Sequence, residues 1–367
     1  MVIFVLILFI CLLHYSIGYI IEVFKLKPVA YVSTLTTIGF ILFFTVGLHY
    51  TSDYNMYYYI YKYNIETSDF MFWFLSRIFK SFHLSFQDLY IFHIVISTLM
   101  FYWFIRRNTL NVFFIFFMYI CLDYVHFSNQ IRYYMGFPFL LLCFDFLFKK
   151  KYIVSILFAV LAFLCHAALL LLLLFVPLYY FLKNEKYDYW IFILSGLFFA
   201  LIGGLMISPW GQEIKHFGYY FGDDEVSSFS GGLLISLPYI LFMSLIVFET
   251  MKYRKRKANF NSDIQYLNLY KLSYFSFIFV PSSIVIQILG YRYVMPFFVV
   301  YALYYLYMIK DLDYKIKGQK MLLFTLVCLV ALFIIYVLPD ILLGSNSKLK
   351  EIEQMLQSIR YINFNEW

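Results

Sequence analysis

The chain runs to 367 residues, of which 63% are hydrophobic and only 13% charged, with a mean hydropathy of +0.79. No water-soluble domain of this length carries so much apolar surface, so a free cytosolic enzyme is excluded and a membrane protein is expected. The formal charge of +7 would suit nucleic acid in a soluble chain, but here the excess is topological, and no nucleic-acid partner is expected.

Apolar runs of about 17 to 25 residues, rather than alternating ten-residue strands, predict helices. In chain order they cover residues 2–24, 29–48, 86–105, 110–126, 133–148, 152–165, 167–182, 189–207, 231–250, 267–288, 293–309 and 321–338, about twelve spans. The first lacks a basic leader and a small-residue cleavage site, and reads as a span rather than a removable peptide. Residues 152–182 are divided in two, because one long helix would leave the His166 imidazole in the apolar middle. Cys11, Cys121, Cys143, Cys165 and Cys328 fall in apolar segments at unrelated spacings. They read as small core residues, not a disulfide or metal set.

About two thirds of the Lys and Arg residues fall on one predicted side, including Arg106, Arg107, Lys149 to Lys151 and the run from Lys252 to Lys257. That bias assigns this side to the cytoplasm and turns both ends of the sequence outward. The inner loops are short and offer no room for a nucleotide-binding domain. Residues 1–338 are therefore expected to form one transmembrane domain with outer loops at 49–85 and 208–230, the second carrying Asp223, Asp224 and Glu225. Within the first loop, residues 70–80 have the pattern of an amphipathic helix lying in the interface. The tail, 339–367, repeats apolar residues at Leu349, Ile352, Leu356 and Ile359, a helical spacing with Ser345 and Ser347 as caps. There is no fixed-period repeat, no Gly-rich phosphate loop and no cluster of metal ligands, so no cofactor is expected.

The chemistry-bearing residues gather on the outer side. Asp53, in Thr51-Ser52-Asp53-Tyr54, is either a hydroxyl-activating or sugar-holding carboxylate among tyrosines, or a helix N-cap in an aromatic belt. Asn129-Gln130-Ile131-Arg132 sets two amides and a guanidinium on one expected helical turn. An Arg fork suits a diphosphate, and its plainer role is to snorkel to lipid phosphates. His166 could serve as a base or as a donor to an anionic oxygen, or be a satisfied interhelical histidine. Arg292, in Gly290-Tyr291-Arg292-Tyr293, repeats the logic of Arg132 on another helix pair. Together these groups suit displacement of a diphosphate from an anomeric carbon, which needs charge neutralisation of the leaving group and no ATP.

In order along the chain, these pieces resemble the O-antigen and exopolysaccharide repeat-unit polymerases, the Wzy-type and EpsG-like proteins. They are Gly-x-x-Tyr-x-x-Asp-Tyr from Gly47, Asn-Gln-x-Arg from Asn129, Phe-x-x-His from Phe163, and Tyr-Arg-Tyr from Tyr291. The resemblance implies an all-α polytopic bundle of the GT-C-like integral membrane glycosyltransferase kind, with interfacial helices on its outer face. It would move a growing glycan from undecaprenyl diphosphate onto the next lipid-linked repeat unit at the periplasmic face of the bacterial inner membrane. Arg132 and Arg292 would hold the donor diphosphate, with Asn129, Gln130, Tyr57 and Tyr293 also on substrate. His166 and Asp53 would carry acceptor activation or sugar placement. The implied partners are the lipid-linked donor and acceptor, the bilayer and a chain-length regulator. Where the family often has a serine soon after the histidine, this chain has Ala167-Ala168. Rival functions are an O-antigen ligase, a flippase for lipid-linked sugars and a membrane acyltransferase. A ligase typically carries a larger outer loop than 208–230, and transport predicts midplane ionisable groups and inverted repeats.

Overall fold

The computed structural model describes residues 2–67, 69–208, 229–257, 260–343 and 348–359. Most of the 208–230 loop with its acidic cluster, and the caps expected at Ser345 and Ser347, lie outside them. Every element among the described residues is helical. Eight helices are long and apolar enough to cross a membrane, and shorter apolar helices cover Phe9–Phe24, Tyr152–Cys165 and Ala167–Phe181. This is a polytopic helical membrane protein. No disulfide joins the cysteines, and Cys11, Cys143, Cys165 and Cys328 are buried.

The described chain divides into two compact units, one of residues 16–173 with 339–367 and one of residues 1–15 with 174–338. Helix α1 (Val2–Phe24) belongs to the first unit from residue 16 on and leads by way of Lys25 at positive φ into α2 (Lys27–Val46), which has a proline in its first turn. Two short helices follow, α3 (Tyr54–Tyr63) and α4 (Phe70–Ser81), the latter where the amphipathic pattern placed it. Next, α5 (Phe86–Asn108) opens on a complete capping box, Ser85 and Asp88 each accepting from the other's backbone N–H. The Gln87 amide then donates to the Val46 and Leu48 carbonyls at 2.8 and 3.1 Å, tying the end of α2 to the start of α5.

The centre of this unit is α6 (Val112–Asn129), α7 (Ile131–Phe148) and α8 (Tyr152–Cys165). Gly136 lets α7 press against the end of α8. A Cβ there would lie 2.5 Å from Leu169 Cδ1 and 2.9 Å from both the Ala162 carbonyl oxygen and Cys165 Cβ. The expected break at His166 is real. His166 is extended (φ −158°, ψ 117°), and residues Ala167–Leu174 continue as a 3-10 helix rather than the expected α-helix. At the opposite end of α7, Asp145 accepts from Arg107 at 2.5 Å and Lys149 at 2.9 Å, which is why a carboxylate is tolerated in that span.

The second unit contains α9 (Phe175–Phe181), α10 (Tyr187–Ile207), α11 (Phe229–Arg256) and α12 (Ile264–Phe275). After α12 come a 3-10 turn (Ser276–Phe279), α13 (Val280–Ser283), α14 (Gln287–Tyr293), α15 (Phe298–Ile309) and α16 (Tyr314–Tyr336), and α17 (Leu338–Leu343) follows as the chain returns to the first unit. Lys271 is satisfied inside it. Its ammonium donates to the Tyr179 and Leu182 carbonyls at 2.7 and 3.1 Å and lies over the Tyr179 and Tyr187 rings. Arg254 pairs with Asp188 at 2.8 Å and covers the Tyr270 ring. The breaks between 276 and 297 differ from those expected. The gap placed at 289–292 lies instead at 284–286, where Ile286 is extended, and Gln287–Ile309 forms one apolar stretch.

Candidate functional site

The first unit assembles most of the singled-out residues around the junction of α6 and α7. Gln130 ends one helix and opens the next with φ −91° and ψ 55°, so the helical ladder is interrupted there. Asn129, Gln130 and Arg132 therefore do not share the single helical turn expected of them; Asn129 ends one helix and Arg132 lies in the first turn of the next. Two backbone groups beside the break have partners close by. The Tyr90 hydroxyl donates to the Ser128 carbonyl at 3.0 Å, and the Gln130 N–H donates to the His126 carbonyl.

Arg132 sits in the first turn of α7 and is held from three directions. Nη1 pairs with Asp69 Oδ2 at 2.8 Å, and the guanidinium lies 4.9 Å from the Tyr57 ring centroid and 5.7 Å from that of Phe72. Its Nε is buried with no hydrogen-bond acceptor among the described residues. A planar cation between two rings and one carboxylate is fixed in orientation as well as position. Burial pushes the Tyr57 phenol up to about 12, with Arg132 pulling it down and Asp53 and Asp69 pushing it further up. Tyr57 is thus a neutral hydroxyl throughout the physiological range.

Asp69 carried no role in the sequence reading. It stands immediately before an amphipathic helix, where Asp reads as an N-cap. It does occupy that position on α4, yet its side chain makes no capping bond. The carboxylate turns inward and is 4% exposed. Besides Arg132 it accepts the Ala167 N–H on Oδ1 at 3.2 Å. One carboxylate therefore joins the segment 49–85, α7 and the break beside His166.

At that break, the Ala168 N–H donates to His166 Nδ1 at 3.2 Å, and the imidazole meets the Tyr133 ring edge to face, 5.4 Å between centroids. A ring nitrogen that accepts from a backbone N–H carries no proton of its own, so the neutral imidazole bears its proton on Nε2. In this arrangement His166 offers a hydrogen bond rather than a lone pair.

Asp53 occupies the N-cap position of α3, but no capping bond comes from its side chain. The neighbouring Ser52 N–H donates to Asn129 Oδ1 at 3.1 Å, joining the Asp53 turn to the α6–α7 junction. Asn129 Nδ2 donates in turn to Glu351 Oε1 at 2.9 Å, so the tail reaches the same place. The tail helix α18 (Lys348–Gln357) buries Met355 completely, and Ser358 Oγ accepts the His49 N–H at 3.3 Å. The helical spacing of the tail was legible; its docking beside Asn129 had no sequence signal.

Arg292 and Tyr293 belong to the second unit. Both are in α14, with Tyr293 buried and stacked on Phe279 at 5.0 Å. Gly290 permits the tight approach of this helix to Tyr239, since a Cβ would lie 2.3 Å from Tyr239 Cε2. Ile286 and Ile288 cluster with Ile202 of α10, fixing the segment that carries Arg292.

Another carboxylate escaped the hydropathy reading. Asp123 is fully buried at a kink inside α6 and accepts from the Tyr134 hydroxyl. It lies within the apolar run 110–126, where neighbouring phenylalanines mask a single acid.

Taken together, this is a helical membrane protein in which an Arg–Asp pair and a histidine gather at interrupted helix ends. The chain belongs to the EpsG family, whose model matches residues 32–347. That stretch contains all four motif regions. No curated protein and no solved structure matches the chain.

Proposed function

We propose that this protein is a glycosyltransferase that polymerises oligosaccharide repeat units carried on undecaprenyl diphosphate, at the outer face of the bacterial cytoplasmic membrane. The acceptor hydroxyl attacks the anomeric carbon of the donor glycan. The bond from that carbon to the diphosphate oxygen breaks, undecaprenyl diphosphate leaves with the electron pair, and the hydroxyl proton passes to a base or to water. The observation that carries this reading is Arg132, clamped between Tyr57, Phe72 and Asp69 beside the His166 break. A guanidinium held rigidly in place of solvent stabilises charge developing on a leaving diphosphate without reorganising. Asn129, Gln130 and Tyr57 orient the sugars, and Arg292 and Tyr293 are assigned to donor and sugar from the Tyr-Arg-Tyr motif alone.

With the His166 proton on Nε2, we assign this residue to hydrogen-bonding an anionic oxygen and leave proton acceptance to Asp53. The bilayer and a chain-length regulator complete the expected partners. Residues 1–338 act as one transmembrane domain, with the tail on its outer side. The test uses surface polysaccharide from a deletion strain complemented with wild type or with Arg132→Lys, which keeps charge but loses the fork. Wild type should restore long chains, and Arg132→Lys should leave single-repeat product. Normal ladders from the variant would remove Arg132 from the donor site. Loss of all capped acceptor in the deletion strain would favour a ligase or flippase instead.

A further inference from the structure

We infer that Asp69 is a positioning residue that works through Arg132 and the backbone after His166, holding the two in one arrangement by its charge. The inference rests on the polymerase reading for its substrate, but its geometry stands separately. Asp69 is 4% exposed and accepts two bonds from different elements, Arg132 Nη1 at 2.8 Å and the Ala167 N–H at 3.2 Å.

A helix-capping role would spend one oxygen on the first turn of α4. No such bond is made. A purely structural ion pair would need only Arg132, whereas the second oxygen is committed to the residue following His166. The carboxylate also offsets the charge of a guanidinium that is only 15% exposed and would otherwise be costly to keep from water while the donor is absent. Each bond addresses a different function. The ion pair aims the Arg132 fork, and the backbone bond sets where His166 leaves α8. With α4 as its base, Asp69 makes the outer loop part of the site.

Asparagine is the informative substitution. Asp69→Asn retains an oxygen for the Ala167 N–H but removes the negative charge opposite Arg132. Asp69→Glu retains the charge on a longer arm. With full-length protein in lipid nanodiscs, transfer from an undecaprenyl-diphosphate oligosaccharide would be measured for wild type, Asp69→Asn, Asp69→Glu, Arg132→Gln and the Asp69→Asn/Arg132→Gln double variant. Asp69→Asn should lower kcat roughly tenfold or more, with a smaller change in KM, and Asp69→Glu should recover part of it. The double variant should be no slower than Arg132→Gln alone, because one residue acts through the other.

Losses that multiply in the double variant, or full activity in Asp69→Asn, would overturn the inference. Amide hydrogen exchange of wild type and Asp69→Ala supplies a readout independent of substrate. Protection at Ala167 should fall in Asp69→Ala, and unchanged protection would also overturn it. If wild type itself transfers nothing, the polymerase reading fails, while the exchange measurement still decides the role of Asp69.

Discussion

The His166 ring shows how one backbone hydrogen bond can divide chemical labour. Because the Ala168 N–H donates to Nδ1, the neutral ring is a donor at Nε2. Glutamine places an amide N–H near the position of that nitrogen, so His166→Gln should retain measurable transfer where His166→Ala retains almost none. Equal, complete loss in both, measured as chain length in the complemented deletion strain, would return the base role to His166. The sequence made the histidine and Arg132 conspicuous because polar groups beside apolar runs are costly. It gave no such prominence to Asp69, whose neighbours Ser68 and Phe70 make it look like an ordinary cap. Asp123 was hidden for the opposite reason: surrounding apolar residues outweigh one acid in any hydropathy average.

Helix ends, more than helix faces, determine where these groups stand. Gly136 is four residues beyond Arg132 on α7, and its missing side chain admits the Ala162 carbonyl, Cys165 and Leu169. One of those obstacles is backbone and cannot rotate away. Gly136→Val should therefore separate α7 from the His166 break and abolish long-chain product while the protein still inserts. An active, well-expressed variant would mean that the spacing is not needed. The tail depends on a single deep contact. A helix of ten residues is marginal alone, so α18 is held by Met355 and the Glu351–Asn129 bond. Met355→Ala should cost about 2–5 kcal/mol of that docking and expose residues 348–357 to limited proteolysis. Unaltered resistance would show that other contacts suffice. Element existence was legible from periodicity. The break at 130 falls in the gap expected between 126 and 133, whereas that at 284–286 was hidden because the expected apolar run 267–288 passes through it.

For the polypeptide in its bilayer, charge distribution makes the clearest forecast. The basic segments around Lys149, Lys183, Lys255 and Lys315 are expected in the cytoplasm, and α3 and α4 outside. Lys62 and Lys255 are both exposed. Cysteine placed at Lys62 should react with an impermeant maleimide added to intact spheroplasts, and cysteine at Lys255 only after permeabilisation. The reverse pattern would turn the Arg132 site towards the cytoplasm and remove the lipid-linked donor from its reach. Hydropathy defined the class and the eight helices long enough to cross, since burial in lipid imposes length and apolarity on every crossing. What joins those crossings into a site is carried by a handful of polar contacts with no periodic signature.

The 3-10 stretch from Ala167 to Leu174 sets a distance. Eight residues wound that way advance about 16 Å, against about 12 Å for the same residues as α-helix. The tighter winding is thus a spacer about 4 Å longer than its residue count would otherwise give. That added length begins at Ala167, whose N–H the Asp69 carboxylate accepts, and is gained without a single inserted residue.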